Sequence, residues 1–160
     1  MKILTTWLRA LLPDLPVGDH QLAEDLTLRG IAVEGIHSLG EGYGHLFEMD
    51  ITTNRVDAMN HYGVAREAAA IYGLHLLPGA ATLPAARPGS SFPVEIQATD
   101  GCGRFTARIL RGVCIQPTAS ISGGISAYAA RMFALLEQKQ ISNAVDASNS
   151  AWLAMGQPTH

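Results

Sequence analysis

The side chains best able to do chemistry in this sequence are a polar turn, a helix-spaced polar pair and a scatter of histidines. Asn54, Arg55 and Asp57 lie within one turn, with Arg66 and Glu67 further along. An amide, a guanidinium and a carboxylate that close could form a reactive constellation. An Asn-Arg turn with Asp57 as a helix cap explains the same residues structurally, with Arg66 and Glu67 as ion-pair partners of small exposed worth. Asp146 and Asn149 could line a pocket, but at helix spacing between Val145 and Ala147 they read as capping or buried hydrogen-bonding groups. His20, His37, His45, His61 and His75 form no His-x-x-x-His pair and no cluster with Cys or Asp. They are expected to be surface or turn residues, and no metal site is predicted. His160 follows Gly156-Gln157-Pro158-Thr159. An imidazole titrates near neutrality and suits orienting a water or reading a polar substrate, whereas a histidine at a frayed end does neither. Lys139 taken alone is a solvated charge. Cys102 and Cys114 belong to no Cys-x-x-Cys pair and are expected to be reduced thiols.

The elements that would position these groups follow from pattern. Trp7, Leu8, Leu11 and Leu12 make one helical face that Pro13 ends. Asp19 is placed to cap a second helix carrying Leu22 and Leu26, with Gly30 as its stop. Alternation from Ile31 to Ile36 predicts a strand, a Gly-rich loop follows over 38–44, and a second strand is expected from about Leu46 to Thr52. After the turn, a helix is expected from Ala58 to about Tyr72, halted by Gly73, with Ala65, Ala68, Ala69 and Ala70 allowing close packing. Residues 78–92, rich in Ala, Pro, Gly and Ser without an apolar period, read as a linker. Beyond it, Val94, Ile96 and Ala98, then Phe105, Ala107 and Ile109, alternate as two strands. Helices are expected from about Ser126 to Glu137 and from about Asn143 to Met155. The fold class is therefore α+β: a helical and β-hairpin domain over 1–77 and an incomplete α+β layer over 93–160.

With 160 residues, 48% of them hydrophobic and 16% charged, the chain can build one or two modest cores. A net charge of -3 offers no bulk attraction to nucleic acid, which needs clustered Lys and Arg. There is no Walker loop and no Gly-x-Gly-x-x-Gly after a strand. The opening is too short an apolar run for a signal peptide and no uncharged apolar run could span a bilayer, so a soluble cytoplasmic protein with no membrane partner is expected.

Three stretches, in order, resemble the β subunit of bacterial phenylalanyl-tRNA synthetase. Trp7-Leu8 with Leu28-x-Gly30-Ile31-x-Val33-Glu34-Gly35 is similar to that family's amino-terminal domain. Asp50-Ile51-Thr52-Thr53-Asn54-Arg55-Val56-Asp57 with Gly63-Val64-Ala65-Arg66-Glu67 resembles its "TPNRPD…GxARE" segment. Arg104-Phe105-Thr106-Ala107-Arg108, Ile141 to Asn149 and Gly156-Gln157-Pro158-Thr159-His160 resemble the opening half of its B3/B4 editing module. There are departures. Glu34 and Asp50 are joined by a short loop where bacterial members insert an oligonucleotide-binding barrel. Ile121-Ser122-Gly123-Gly124 replaces a Pro-containing turn, and Glu137 replaces a helix-ending Gly.

The resemblance implies a fragment of an amino-acid ligase subunit, serving as scaffold plus half of a pocket that hydrolyses tyrosine wrongly attached to the phenylalanine tRNA. It implies an editing pocket carried by His160, Pro158 and Lys139, the last standing where the family has Arg and lacking its planar fork. It assigns no aminoacylation catalysis and no cofactor to this stretch; ATP and Mg belong to the parent α2β2 assembly, whose α subunit is the implied partner and through which tRNA would bind. The isolated chain is expected neither to activate phenylalanine nor to bind tRNA tightly. A free-standing editing hydrolase and a non-enzymatic binding module are the alternatives.

Overall fold

The computed structural model describes residues 1–79, 82, 85, 89, 92–121 and 124–158. Its elements, in order, are β1 (Lys2–Leu4), α1 (Thr5–Leu11), α2 (Asp19–Leu28), β2 (Ala32–Ser38), β3 (His45–Asp50), α3 (His61–Tyr72), α4 (Gly124–Leu135) and α5 (Asn143–Met155), with 3-10 turns at Val56–Ala58 and Thr118–Ser120. Helices with a small antiparallel sheet make this an α+β chain, as the sequence pattern predicts.

The sheet has the order β1-β3-β2, so β3 is central. Alternation along it feeds two cores, because successive side chains leave opposite faces. Phe47 and Met49 join Ile3, Leu8, Leu22, Leu26, Val64 and Ala68 in a cluster built by α1, α2 and α3. Leu46 instead joins Leu4, Met132, Phe133, Leu136 and Leu153 in a second cluster under α4 and α5. The pairing Leu4↔Leu46 and Ile3↔Phe47 keeps β1 and β3 in step with this division. Strand β1 is not evident from sequence: it is a three-residue strand paired more than forty residues away.

Two helix starts differ from expectation for one reason. Asp19 does not cap α2; Gly18 is the N-cap and Asp19 is the first helical residue, its carboxylate turned to long-range partners. Asp57 does not cap α3 either. It lies in the 3-10 turn, and Asn60 caps the helix by accepting from the Gly63 N–H at 2.7 Å. In both cases an arginine claims the carboxylate that local pattern assigns to the cap: Arg9 of α1 for Asp19, and Arg55 and Arg66 for Asp57. Gly73 does end α3, in the left-handed region at φ 64°. The expected close packing holds for Ala65, Ala68 and Ala69, which are buried, while Ala70 is exposed.

The residues beyond the first eighty divide differently from the expected 1–77 and 93–160 split. One compact unit comprises Met1–Ala80 with Ile115–His160, and a second comprises Ala81–Cys114. Helices α4 and α5 belong to the first because Phe133, Leu136 and Leu153 bury themselves against Leu4 and Leu46. Much of the expected 78–92 linker lies outside the described residues. In the second unit, 94–98 and 105–110 form no strands despite their alternation. A strand is held by cross-strand pairs, and here Phe105, Ile109, Leu110 and Val113 stay exposed while Phe92, Val94, Ile96 and Phe105 line an open depression of about 420 Å³.

Helix α4 ends in an unusual way. The Gln138 N–H donates to the Phe133 carbonyl at 2.8 Å and the Glu137 N–H to that of Ala134 at 3.1 Å, which is the Schellman arrangement. Its left-handed residue is Glu137, at φ 54°, where glycine is favoured. Glu137 also pairs with Lys2, an exposed contact whose net worth is small and falls with salt. Relief of backbone strain should therefore outweigh loss of the pair. Glu137→Gly is expected to raise the thermal midpoint by roughly 2–4 °C, read by circular dichroism melting, and by more at high salt. A lower midpoint at high salt would contradict this.

Candidate functional site

The turn that resembles the "TPNRPD" segment folds into a closed set of charges. Asp57 accepts from Arg55 Nε and Nη2, both at 3.1 Å, and from Arg66 Nη2 at 2.6 Å. Arg55 Nη2 also reaches Glu67 at 2.7 Å. Two cations and two anions thus cancel, and Arg55 above all holds Asp57 below the ordinary carboxylate range. A carboxylate so engaged is a poor base. The group fastens the 3-10 turn to α3, and Asn60 Nδ2 adds a bond to the Asp57 carbonyl at 3.2 Å.

Asp146 is buried and accepts from Thr118 Oγ1 at 2.6 Å and from the Ile141 N–H at 3.0 Å. It is the buried hydrogen-bonding group that helix spacing suggests, tying α5 to the segment ahead of it. Ser142 caps α5 by accepting from the Val145 N–H.

Two constellations escape sequence reasoning. In the first, Asp19 gathers α1, α2 and β3. Its Oδ2 accepts from Thr5 Oγ1 at 2.6 Å and meets His45 Nδ1 at 2.8 Å, while Oδ1 accepts from Arg9 Nη2 at 2.7 Å. Thr5 Oγ1 in turn accepts from the His45 N–H at 2.9 Å. Burial alone would raise the pKa of Asp19, but the bonds from Thr5, His45 and Arg9, with the Arg9 charge, bring it below the ordinary value. A hydroxyl, a carboxylate and an imidazole in a row suggest nucleophilic chemistry. Thr5 is fully buried, so no substrate reaches it, and the arrangement is a structural bolt.

The second is His61. It was expected at a surface or turn, yet it is fully buried, held by backbone groups of β1 and α5 and stacked on Trp7 with ring centroids 4.2 Å apart. Burial pushes its pKa down from 6.5 to about 4, the Leu153 carbonyl opposing only in part. Its partners Leu4 and Leu153 lie 57 and 92 residues away, so no local pattern signals its burial. His20, His37 and His75 are exposed and His45 half-buried.

Of the residues assigned to an editing pocket, the structure describes Lys139 and Pro158. Lys139 is exposed with no ion-pair partner among the described residues, Pro158 is exposed, and His160 lies outside the described residues. No group of three His, Cys, Asp or Glu among the described residues is arranged to hold a metal ion, and the buried or paired carboxylates Asp19, Asp57 and Asp146 are committed to internal partners. No described helix is long and apolar enough to cross a membrane.

No protein-family model matches the chain. Curated relatives do. The chain is 36% identical over 117 residues to the phenylalanine–tRNA ligase beta subunit of Anaeromyxobacter dehalogenans, a match covering 72% of this chain and 14% of the relative. It is 36% identical over 120 residues to that of Bordetella parapertussis, again over 72% of this chain and 14% of the relative. With the Moorella thermoacetica subunit it shares 37% identity over 119 residues, 70% of this chain and 13% of the relative. The chain is thus homologous, over most of its own length, to a stretch of the phenylalanine–tRNA ligase beta subunits, and it spans about 14% of theirs.

Proposed function

We propose that this chain works as part of a phenylalanine–tRNA ligase β subunit, where residues 1–79 with α4 and α5 are scaffold and the end of the chain contributes to a pocket that hydrolyses tyrosyl-tRNA. The observation that carries the reading is the 36% identity over 117 residues to subunits of that name. The closed charge set around Asp57 supports the scaffold role, because it spends the most conspicuous polar motif on holding a turn. The α subunit is the partner in an α2β2 assembly in the cytoplasm, and it is the α subunit that handles ATP, Mg and phenylalanine. The described residues do not fit that group: they hold no phosphate-cradling loop and no cluster of three His, Cys, Asp or Glu side chains, and the buried carboxylates Asp19 and Asp146 are occupied internally. The isolated chain is accordingly inactive in aminoacylation and has no tight grip on tRNA.

Editing has a physical rationale. An apolar pocket cannot strongly reject an isostere that only adds a hydroxyl, so tyrosine is mischarged unless a second site selects it by hydrogen-bonding that hydroxyl. The aminoacyl ester is already reactive, so His160 positions substrate or water and need not be a strong base. In an α2β2 enzyme whose β subunit carries this sequence, His160→Ala is expected to slow tyrosyl-tRNA deacylation roughly tenfold, worth about 1.4 kcal/mol, with phenylalanine charging within about twofold. Both rates are measured with radiolabelled aminoacyl-tRNA. Loss of charging with deacylation intact would overturn the assignment.

A further inference from the structure

The two apolar clusters of the first unit share no residue, and α4 and α5 appear only in the smaller. Among the described residues, what joins this helical pair to the sheet is that small cluster, the exposed Lys2–Glu137 pair, Arg131 lying over the Tyr43 ring at 3.9 Å, and His61. Among the described residues, His61 is the one polar side chain in the join that is fully buried. Its Nε2 accepts from the Leu4 N–H of β1 at 3.0 Å, and its Nδ1 donates to the Leu153 carbonyl of α5 at 2.9 Å. The amide can only donate and the carbonyl can only accept, so the ring must be neutral with its proton on Nδ1. A proton added at Nε2 would set two N–H donors against each other at the Leu4 end and leave a cation buried among apolar groups.

We propose that His61 is an acid-operated latch: protonation of its ring releases α5, and α4 with it, from β1 and α3, while the core of α1, α2, α3 and the sheet stays folded.

No charged group among the described residues faces the ring. Strand β1 presents an amide, α1 the Trp7 indole and α5 a carbonyl. The charges on those elements are engaged elsewhere: Lys2 with Glu137, Arg9 with Asp19, Arg66 with Asp57, Glu67 with Arg55, and Asp146 with Thr118 and Ile141. The sign follows from the direction of the shift. The ring prefers to be neutral when latched, with a pKa near 4, and takes up a proton near 6.5 when released. The latch is therefore at full strength above pH 6.5, weakens as pH falls from 6.5 to 4, and changes no further below that. The Lys2 pair lowers the Glu137 carboxyl and the bonds from Thr5, His45 and Arg9 lower that of Asp19, so both shifts run away from the interval between pH 7 and 5.

The test is hydrogen exchange of the 160-residue chain followed by mass spectrometry, corrected for the intrinsic pH dependence of exchange. The opening constant of the α5 segment is expected to rise roughly twentyfold between pH 7 and pH 5, with α1 to α3 unchanged. His61→Phe keeps a ring against Trp7 but cannot titrate, and should flatten the pH dependence of α5. If that variant does not fold, nuclear magnetic resonance of the wild-type His61 ring supplies the second readout: its titration must follow the α5 opening. A flat α5 response, an equal response across α1 to α3, or a ring titration unrelated to α5 opening would each overturn the latch.

Discussion

Gly63→Ala is expected to destabilise the chain by about 3 kcal/mol, although glycine to alanine inside a helix ordinarily stabilises by about 1 kcal/mol. Gly63 sits buried in the first turn of α3, where the 3-10 turn crosses the helix. A methyl group there would overlap the Asp57 carbonyl oxygen and lie 2.8 Å from the Ala58 Cα. Both obstacles are backbone, so neither can swing aside. Nor can the turn retreat, since Arg55, Arg66 and Asn60 all hold Asp57 in place. Overpacking must therefore win over propensity, and the effect should appear as a lower urea midpoint with an unchanged m-value. The exposed Ala70 supplies the contrast: Ala70→Gly should cost only the propensity term, about 1 kcal/mol. A Gly63→Ala protein as stable as the parent would show that the turn and helix are not pressed together as described.

Asp19→Ala should cost a similar amount, about 3 kcal/mol, by a different route. The substitution strips partners from Thr5, which is fully buried, and from the half-buried His45 and Arg9. Unsatisfied donors rather than the lost Coulomb attraction dominate, because Arg9 retains access to water and to the Val17 carbonyl at 2.7 Å. Asp19→Asn preserves shape and can still accept one bond, so roughly half the loss is expected. The pH dependence separates charge from shape. Since the folded-state pKa of Asp19 is depressed, its ionised form adds stability above 3.8, and that contribution fades as pH falls through the lower folded value. The gap between wild type and Asp19→Asn should accordingly be constant near neutrality and close only in acid. A gap that narrowed between pH 7 and 5 would contradict the assignment of the linkage to Asp19.

Both sites explain why local reading went only part of the way. Helix extents were legible where pattern and punctuation agree: α5 runs from Asn143 to Met155 as expected, because Ser142 and Gly156 mark its two ends chemically. The tyrosine-to-glycine end of α3 was legible for the same reason. That Asp19 and Asp57 do not cap their helices was not legible, because a carboxylate before a helix looks the same whether its partner is a backbone N–H of the first turn or the side chain of a nearby arginine. Alternation over 94–98 and 105–110 resembled strands because period two reports a face, and a face becomes a strand only when another chain segment pairs with it. Of the candidate site, the charge set at Arg55, Asp57, Arg66 and Glu67 was visible as possible ion pairs, whereas the meeting of Thr5 with His45, or of His61 with Leu4 and Leu153, spans forty to ninety residues.

By itself, then, the sequence determined the class of fold, most helix boundaries and the kinship with ligase β subunits, since propensity, capping and motif order are properties of neighbours along the chain. Tertiary structure alone decided that α4 and α5 close over the first sheet, that β1 exists, and that a histidine sits neutral in the core. Those outcomes depend on which distant groups meet out of water, and burial is what turns an ordinary imidazole at Asn60-His61 into a group that cannot take up a proton near neutrality without breaking its contacts.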